Sequence, residues 1–188
     1  MFGWLTARSS LLCRRAPRML ASRRIRRITP HVLISALPGL GSVLYLHAAS
    51  RETPDVSTPG LLVAQPAFAP LLDAHWLIAV SVVTDDGPRE WCECVDQLGR
   101  ARARWHLLPD TDYLAWDALT ASCMPYSAQS PFIDAQPLRP DHASVVNFSL
   151  REMAGMLLLE QDAYVSLSSL GDRIAARIAH AESASLQP

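Results

Sequence analysis

The chain has 188 residues, 49% of them apolar and 19% charged, with only 8 Gly. That balance excludes wholesale disorder, collagen and coiled coil, and it fits one ordinary globular domain with an appendage. The formal net charge of -1 hides an asymmetry, because residues 1–50 hold eight Arg and no Asp or Glu while the rest of the chain is strongly acidic. An acidic body is a poor nucleic-acid surface, since phosphate contacts demand clustered cations. All 17 basic residues are Arg, so mechanisms that need an amine, such as a Schiff base or a phosphate-loop Lys, are excluded.

Residues 1–27 read as an Arg-rich arm, disordered or an upstream start-site extension, and 28–188 as a single α+β domain. A second reading takes Arg23–Arg27 as a positive n-region, Val32–Leu46 as an apolar h-region and Ala48-Ala49-Ser50 as a cleavage site, which would export the protein through a signal near residues 19–50. Pro38, Gly39 and Gly41 interrupt that apolar run and disfavour a helix spanning a membrane. The favoured expectation is therefore cytoplasmic, with His31–Leu37 a short helix stopped by Pro38-Gly39 and Ser42–His47 a strand.

Arg51–Pro70 is a Pro-rich connector with a short strand at Leu61–Ala64. Leu77–Val83 is apolar and β-branched, and Thr84-Asp85-Asp86-Gly87-Pro88 turns the chain into a strand at Trp91–Asp96. Gln97-Leu98-Gly99 makes a second turn into Arg100–Leu107, which alternates Arg100, Arg102, Arg104 and His106 against Ala101, Ala103, Trp105 and Leu107. That alternation predicts a sheet wetted on one side. Asp110-Thr111-Asp112 offers an N-cap for a helix from Tyr113 to about Ala121. Met124–Asp141 is a loop and Ser144–Phe148 a strand. Leu150–Leu159 and Tyr164–Ala181 read as helical, separated or kinked near Gly171. The fold class is α+β: an antiparallel β-meander flanked by helices, with the Arg-rich N-terminal arm.

Cys92 and Cys94 share a strand face, but no second ligand pair at zinc spacing accompanies them, so they read as small apolar residues. There is no G-x-S-x-G elbow, no phosphate loop and no dinucleotide fingerprint. Capping accounts for Asp110 and Asp112 more cheaply than calcium does. The informative grouping is His106 with Arg102 and Arg104 on one strand face. Imidazole coordinates iron, Arg pairs propionates, and Trp or Tyr packs on a porphyrin edge. His106 is the metal-ligand candidate, with Arg102, Arg104, His75 and Tyr113 as further cofactor-binding candidates and haem as the cofactor.

The segment Glu90–Leu119, with VDQLGRARARWHL and LLPDTDYLAWDAL, resembles small bacterial haemin transport or haem utilisation proteins. The resemblance implies haem binding or trafficking in the cytoplasm more than turnover, with haem or a haem-uptake component as partner. No family ligand maps onto a position of this chain, so the site residues rest on the sheet pattern. Two other classes stay open: a non-enzymatic interaction module using Trp76, Trp91, Trp105 and Trp116, alone or as a homo-oligomer, and an exported or membrane-anchored protein.

Overall fold

The computed structural model describes residues 19–48, 58–84, 87–125, 137–163 and 166–187. In chain order these form β1 (Met19–Arg27), α1 (Pro30–Ala36), β2 (Gly41–His47), β3 (Leu61–Val63), β4 (Trp76–Thr84), β5 (Gly87–Val95), β6 (Ala101–Thr111) and α2 (Tyr113–Ser122). β7 (Met124–Pro125), β8 (His142–Met153), β9 (Met156–Gln161), α3 (Ser169–Ala181) and β10 (Ser185–Gln187) complete the set, with 3-10 turns at Leu37–Leu40 and Pro66–Asp73.

The strands make one sheet in the order β3-β9-β8-β2-β6-β5-β4-β1-β7, with β10 pairing β8 off that path. Pairing is antiparallel except for β3 with β9 and β10 with β8. The predicted meander is β4-β5-β6, and β2 joins β6 to β8. The α+β class stands.

Alternation along the strands builds two apolar layers. One face carries Val43, Tyr45, Leu77, Cys92, Cys94, Ala103, Trp105, Leu107 and Phe148, and it is closed by α1, α2 and the two 3-10 turns. Tyr45, Phe68 and Phe148 meet there edge-on or tilted, with the Tyr45 hydroxyl donating to the Ala67 carbonyl at 2.8 Å. Such buried side chains are worth about 1.5–3 kcal/mol each by transfer, which makes this the main core. The other face packs Leu44, Leu46 and Leu108 under Ala175, Ile178 and Ala179 of α3. The sheet is therefore covered on this side too, where a wet face was predicted.

Caps fix the helices. Asp112 accepts from the Leu114 and Ala115 amides at 2.9 and 3.1 Å and starts α2, as its sequence position predicts. Asp110 does something else: it accepts from the Ser168 amide and hydroxyl, both at 3.0 Å, and so clasps the start of α3 to the end of β6.

Three further expectations change. Met19–Arg27, the last part of the expected arm, is a strand paired with β4, while residues 1–18 lie outside the described residues. Leu150–Leu159 is not a helix but the turn of the β8-β9 hairpin and its flanks, with Ala154 and Gly155 both at positive φ (51° and 76°) between Met153 and Met156. Two left-handed residues in a two-residue loop suit the twist of a hairpin. Gly171 lies in the first turn of α3 and does not kink it.

Candidate functional site

The predicted site centres on β6, whose register against β5 decides which side chains share a face. Trp91 stands opposite His106, Glu93 opposite Arg104 and Cys94 opposite Ala103, but Val95 stands opposite Ala101. Arg102 is thus an extra residue, a β-bulge, and a bulge re-aims its side chain. Its charge acts on Asp73, at the end of the Pro66–Asp73 turn, and on the Cys94 thiol, which lies on the main core face. Strict alternation would have kept Arg102 beside Arg104 and His106, and the bulge separates them.

Arg104 and His106 remain together, but neither is wet: they are 8% and 4% exposed. Arg104 donates to Glu93 Oε1 through Nε and Nη2 at 3.1 and 2.7 Å, and its Nη1 lies 2.8 Å from Glu182 Oε2. A buried guanidinium needs such partners, because an uncompensated charge in a low-dielectric interior is costly. The cation also lies 5.8 Å from the centre of the Trp91 ring, and the His106 ring packs on that indole at 5.4 Å and 39°.

This cluster borders a third apolar patch: Ile78, Val80, Val82 and Val95, with Ile25, Trp76, Trp91 and Ala101 packed against them. Register adds β1 to the same face, since Arg23, Ile25 and Arg27 stand opposite Val80, Ile78 and Trp76, and directly opposed residues of an antiparallel pair point the same way. α3 packs on β6 and β10, to one side of this patch.

The other two candidates lie elsewhere. His75, whose amide donates to the Val95 carbonyl at 2.9 Å, precedes β4 at the end of the sheet where β5 finishes and β6 begins. Tyr113 opens α2 beyond the opposite end of β6. At about 3.3 Å per strand residue, the length of β6 puts them roughly 30 Å apart. Tyr113 is 48% exposed, and burial of its phenol together with the nearby Glu90 charge raises its pKa. The five predicted residues therefore occupy separate places, and only Arg104 and His106 form a cluster.

A second pair was not read from the sequence. His47 of β2 stands directly opposite His142 of β8, with ring centres 5.5 Å apart and planes tilted by 38°. His47 Nδ1 faces the Ala48 carbonyl at 3.1 Å, and its ring stacks on Tyr45 at 5.7 Å. Gln187 of β10 reaches His142 Nδ1 at 3.3 Å. Burial lowers the His47 pKa and outweighs the bond to Ala48, with the His142 charge lowering it further and Asp141 raising it. The strand containing His47 was legible, but its pairing with β8 was not.

Among the described residues no group of three His, Cys, Asp or Glu is placed to hold a metal, and no helix is long and apolar enough to cross a membrane. Cys92 and Cys94 are buried on the core face, as read from their spacing.

No protein-family model matches the chain, and no curated protein does. Among solved structures it is similar to the haem-degrading enzyme ChuS of Escherichia coli O157:H7, at 14% identity and a TM-score of 0.43, covering 63% of this chain and 39% of ChuS. It is also similar to PhuS, a haem-binding protein of Pseudomonas aeruginosa, at 21% identity and a TM-score of 0.41, covering 61% of this chain and 37% of PhuS. The chain thus spans less than two fifths of the length of either structure.

Proposed function

We propose that this chain binds haem and holds or hands it on, with His106 as the iron ligand and Arg104 as the partner of a propionate. Haem presents a flat apolar ring, two carboxylates and an iron that accepts imidazole. The observation that carries the reading is the Trp91-His106-Arg104 cluster at the border of the Ile78-Val80-Val82 patch. That face sets an apolar patch beside an imidazole and a guanidinium, all of them buried, so haem would enter by displacing what covers them, starting with Glu182 on Arg104. A propionate would compete with Glu182 for Arg104, because the two offer the same group to the same nitrogen. The resemblance of Glu90–Leu119 to haemin transport proteins supports the same chemistry. The setting that goes with it is cytoplasmic, with a haem-uptake component as partner. Arg102, His75 and Tyr113 lie away from the cluster and take no part in this reading.

The test is a haemin titration of the full chain followed at the Soret band, with His106→Gln, His106→Ala, His75→Ala and His142→Ala, each checked for folding by circular dichroism. The expected result is a saturable one-to-one spectrum lost in both folded His106 variants and kept in the other two. Featureless, non-saturating absorption, or an unchanged spectrum in folded His106 variants, overturns the assignment.

A further inference from the structure

The pair His47 and His142 lies on strands far apart in the chain, and nothing in the haem reading uses it. Two imidazoles bonded to one tetrahedral zinc at about 2.0–2.1 Å place their ring centres roughly 5 Å apart. The observed separation is 5.5 Å, close to that spacing, and it is set by the direct cross-strand pairing of the two residues.

The contacts at each Nδ1 bear on which ring nitrogen is left for an ion. With Nδ1–H donating to the Ala48 carbonyl, the lone pair of His47 is on Nε2. Metal-bound His characteristically donates its other ring N–H to such a carbonyl or carboxylate, which fixes the tautomer. His142 has its Nδ1 3.3 Å from the side-chain Nε2 of Gln187. An amide serves as donor or acceptor by turning over, since its oxygen and nitrogen occupy equivalent positions. With its oxygen toward Nδ1–H, Gln187 leaves the Nε2 lone pair of His142 for an ion. The tilt of the rings and the stacking of His47 on Tyr45 restrict the side chain further.

We infer that His47 and His142 form a two-imidazole site for a first-row divalent transition ion, with solvent or an added ligand completing its coordination. Neutral nitrogen donors select zinc, nickel and copper over magnesium and calcium, and the Irving–Williams order makes Cu2+ the tightest of these. An ion held here joins β2 to β8 in the folded state only, so its binding raises the melting temperature.

The experiment titrates the full-length protein with ZnCl2 and with NiCl2 by isothermal calorimetry, and follows the melting temperature with and without each salt. MgCl2 is the control. His47→Gln, His142→Gln and His106→Gln are compared with the native chain, each first shown to fold. The expected result is one ion per chain, at least tenfold weaker binding in His47→Gln and in His142→Gln, loss of the thermal shift in both, and no change in His106→Gln. Absence of binding to the native chain overturns the proposal, as does binding that survives unchanged in either folded pair variant. Porphyrin takes no part in the assay, so its outcome is independent of the haem reading.

Discussion

Nη1 of Arg104 lies 2.8 Å from Oε2 of Glu182, which ties the C-terminal cap of α3 to the centre of the sheet. An acidic residue at a helix C-terminus is opposed by the helix dipole, and here the guanidinium offsets that cost. Replacing Arg104 with Met leaves Glu93 and Glu182 facing one another without their cation. The loss should be about 3–5 kcal/mol, the range for breaking a buried pair from one side. Glu182→Gln leaves Arg104 on Glu93 and removes the acid from the helix end, so it should cost about 1 kcal/mol or less. Urea unfolding checks both, and equal losses in the two variants would refute the triad.

The same pair bears on ligand affinity. If a propionate takes the place of Glu182 on Arg104, Glu182→Gln removes the competitor. Haemin should then bind several-fold more tightly to Glu182→Gln than to the native chain, and several-fold more weakly to Arg104→Met. Soret titration of folded protein reads both. Unchanged affinity in both variants would remove Arg104 from the site while leaving the stability prediction intact.

Gly171 is the contact point of the clasp between Asp110 and α3. A Cβ there would run into the Asp110 carboxylate, and Ser168 Oγ, which receives the Gly171 amide at 3.0 Å, is itself bound to Asp110. Gly171→Ala gains helix propensity of about 1 kcal/mol but must displace that carboxylate. Overpacking costs about 1–3 kcal/mol, and loss of the bonds to Ser168 adds to it, so the net effect should be destabilising. In an Asp110→Ala background the collision is absent and the same substitution should be neutral or stabilising. A double-mutant cycle by thermal unfolding measures this reversal of sign, and additive effects would sink the clasp.

How far the sequence reached differs from element to element. β4, β5 and α2 were readable because turn residues bound the strands and Asp112 caps the helix, and each signal is local. β1 was not, since its arginines alternate across the sheet without leaving an apolar stripe. Leu150–Leu159 fits a helix as well as two strands, because a short apolar run carries no decisive period, and the Ala154-Gly155 loop lacks the usual Asn-Gly turn signal. For the site, alternation placed Arg104 and His106 together. It could not show that one extra residue on β6 would turn Arg102 away, nor that α3 would bring Glu182 onto Arg104. The His47 and His142 pair depends wholly on a long-range pairing of β2 with β8, which no local pattern encodes.

Asp73 ends the 3-10 turn that packs on β5 and β6, and its pKa is raised above the ordinary 3.8 by burial, with Arg102 pulling it down and Asp96 pushing it up. A carboxyl that holds its proton more tightly when folded favours the native state below the unfolded pKa. That contribution is lost as pH rises through the raised value. Asp73→Asn should therefore be more stable than the native chain at pH 7, with a flatter stability profile from the ordinary carboxylate value upward. Arg102→Met removes the opposing charge and should steepen the loss. Melting temperatures across that range test this, and a native profile that rises with pH while Asp73→Asn stays parallel to it would contradict the assignment.

The thiols of Cys92 and Cys94 lie on the core face, where burial pushes both pKa values up; the Cys94 charge raises Cys92 further, and Asp73 and Asp96 raise Cys94 while Arg102 pulls it down. Cys123 is buried as well, with its thiol donating to the Leu119 carbonyl at 3.2 Å. Since the thiolate is the reactive form, both low access and a raised pKa protect these groups. Iodoacetamide at pH 8 should leave all three unmodified in native protein over times that fully label a free thiol, and should label them together on unfolding in urea. Peptide mass mapping separates these sites from Cys13, whose labelling is scored on its own. Fast modification of Cys92 or Cys94 in folded protein would mean that the β5 face opens in solution. It would also predict that large-to-small changes at Trp105, directly opposite Cys92, cost far less than the roughly 3–5 kcal/mol typical of a buried Trp.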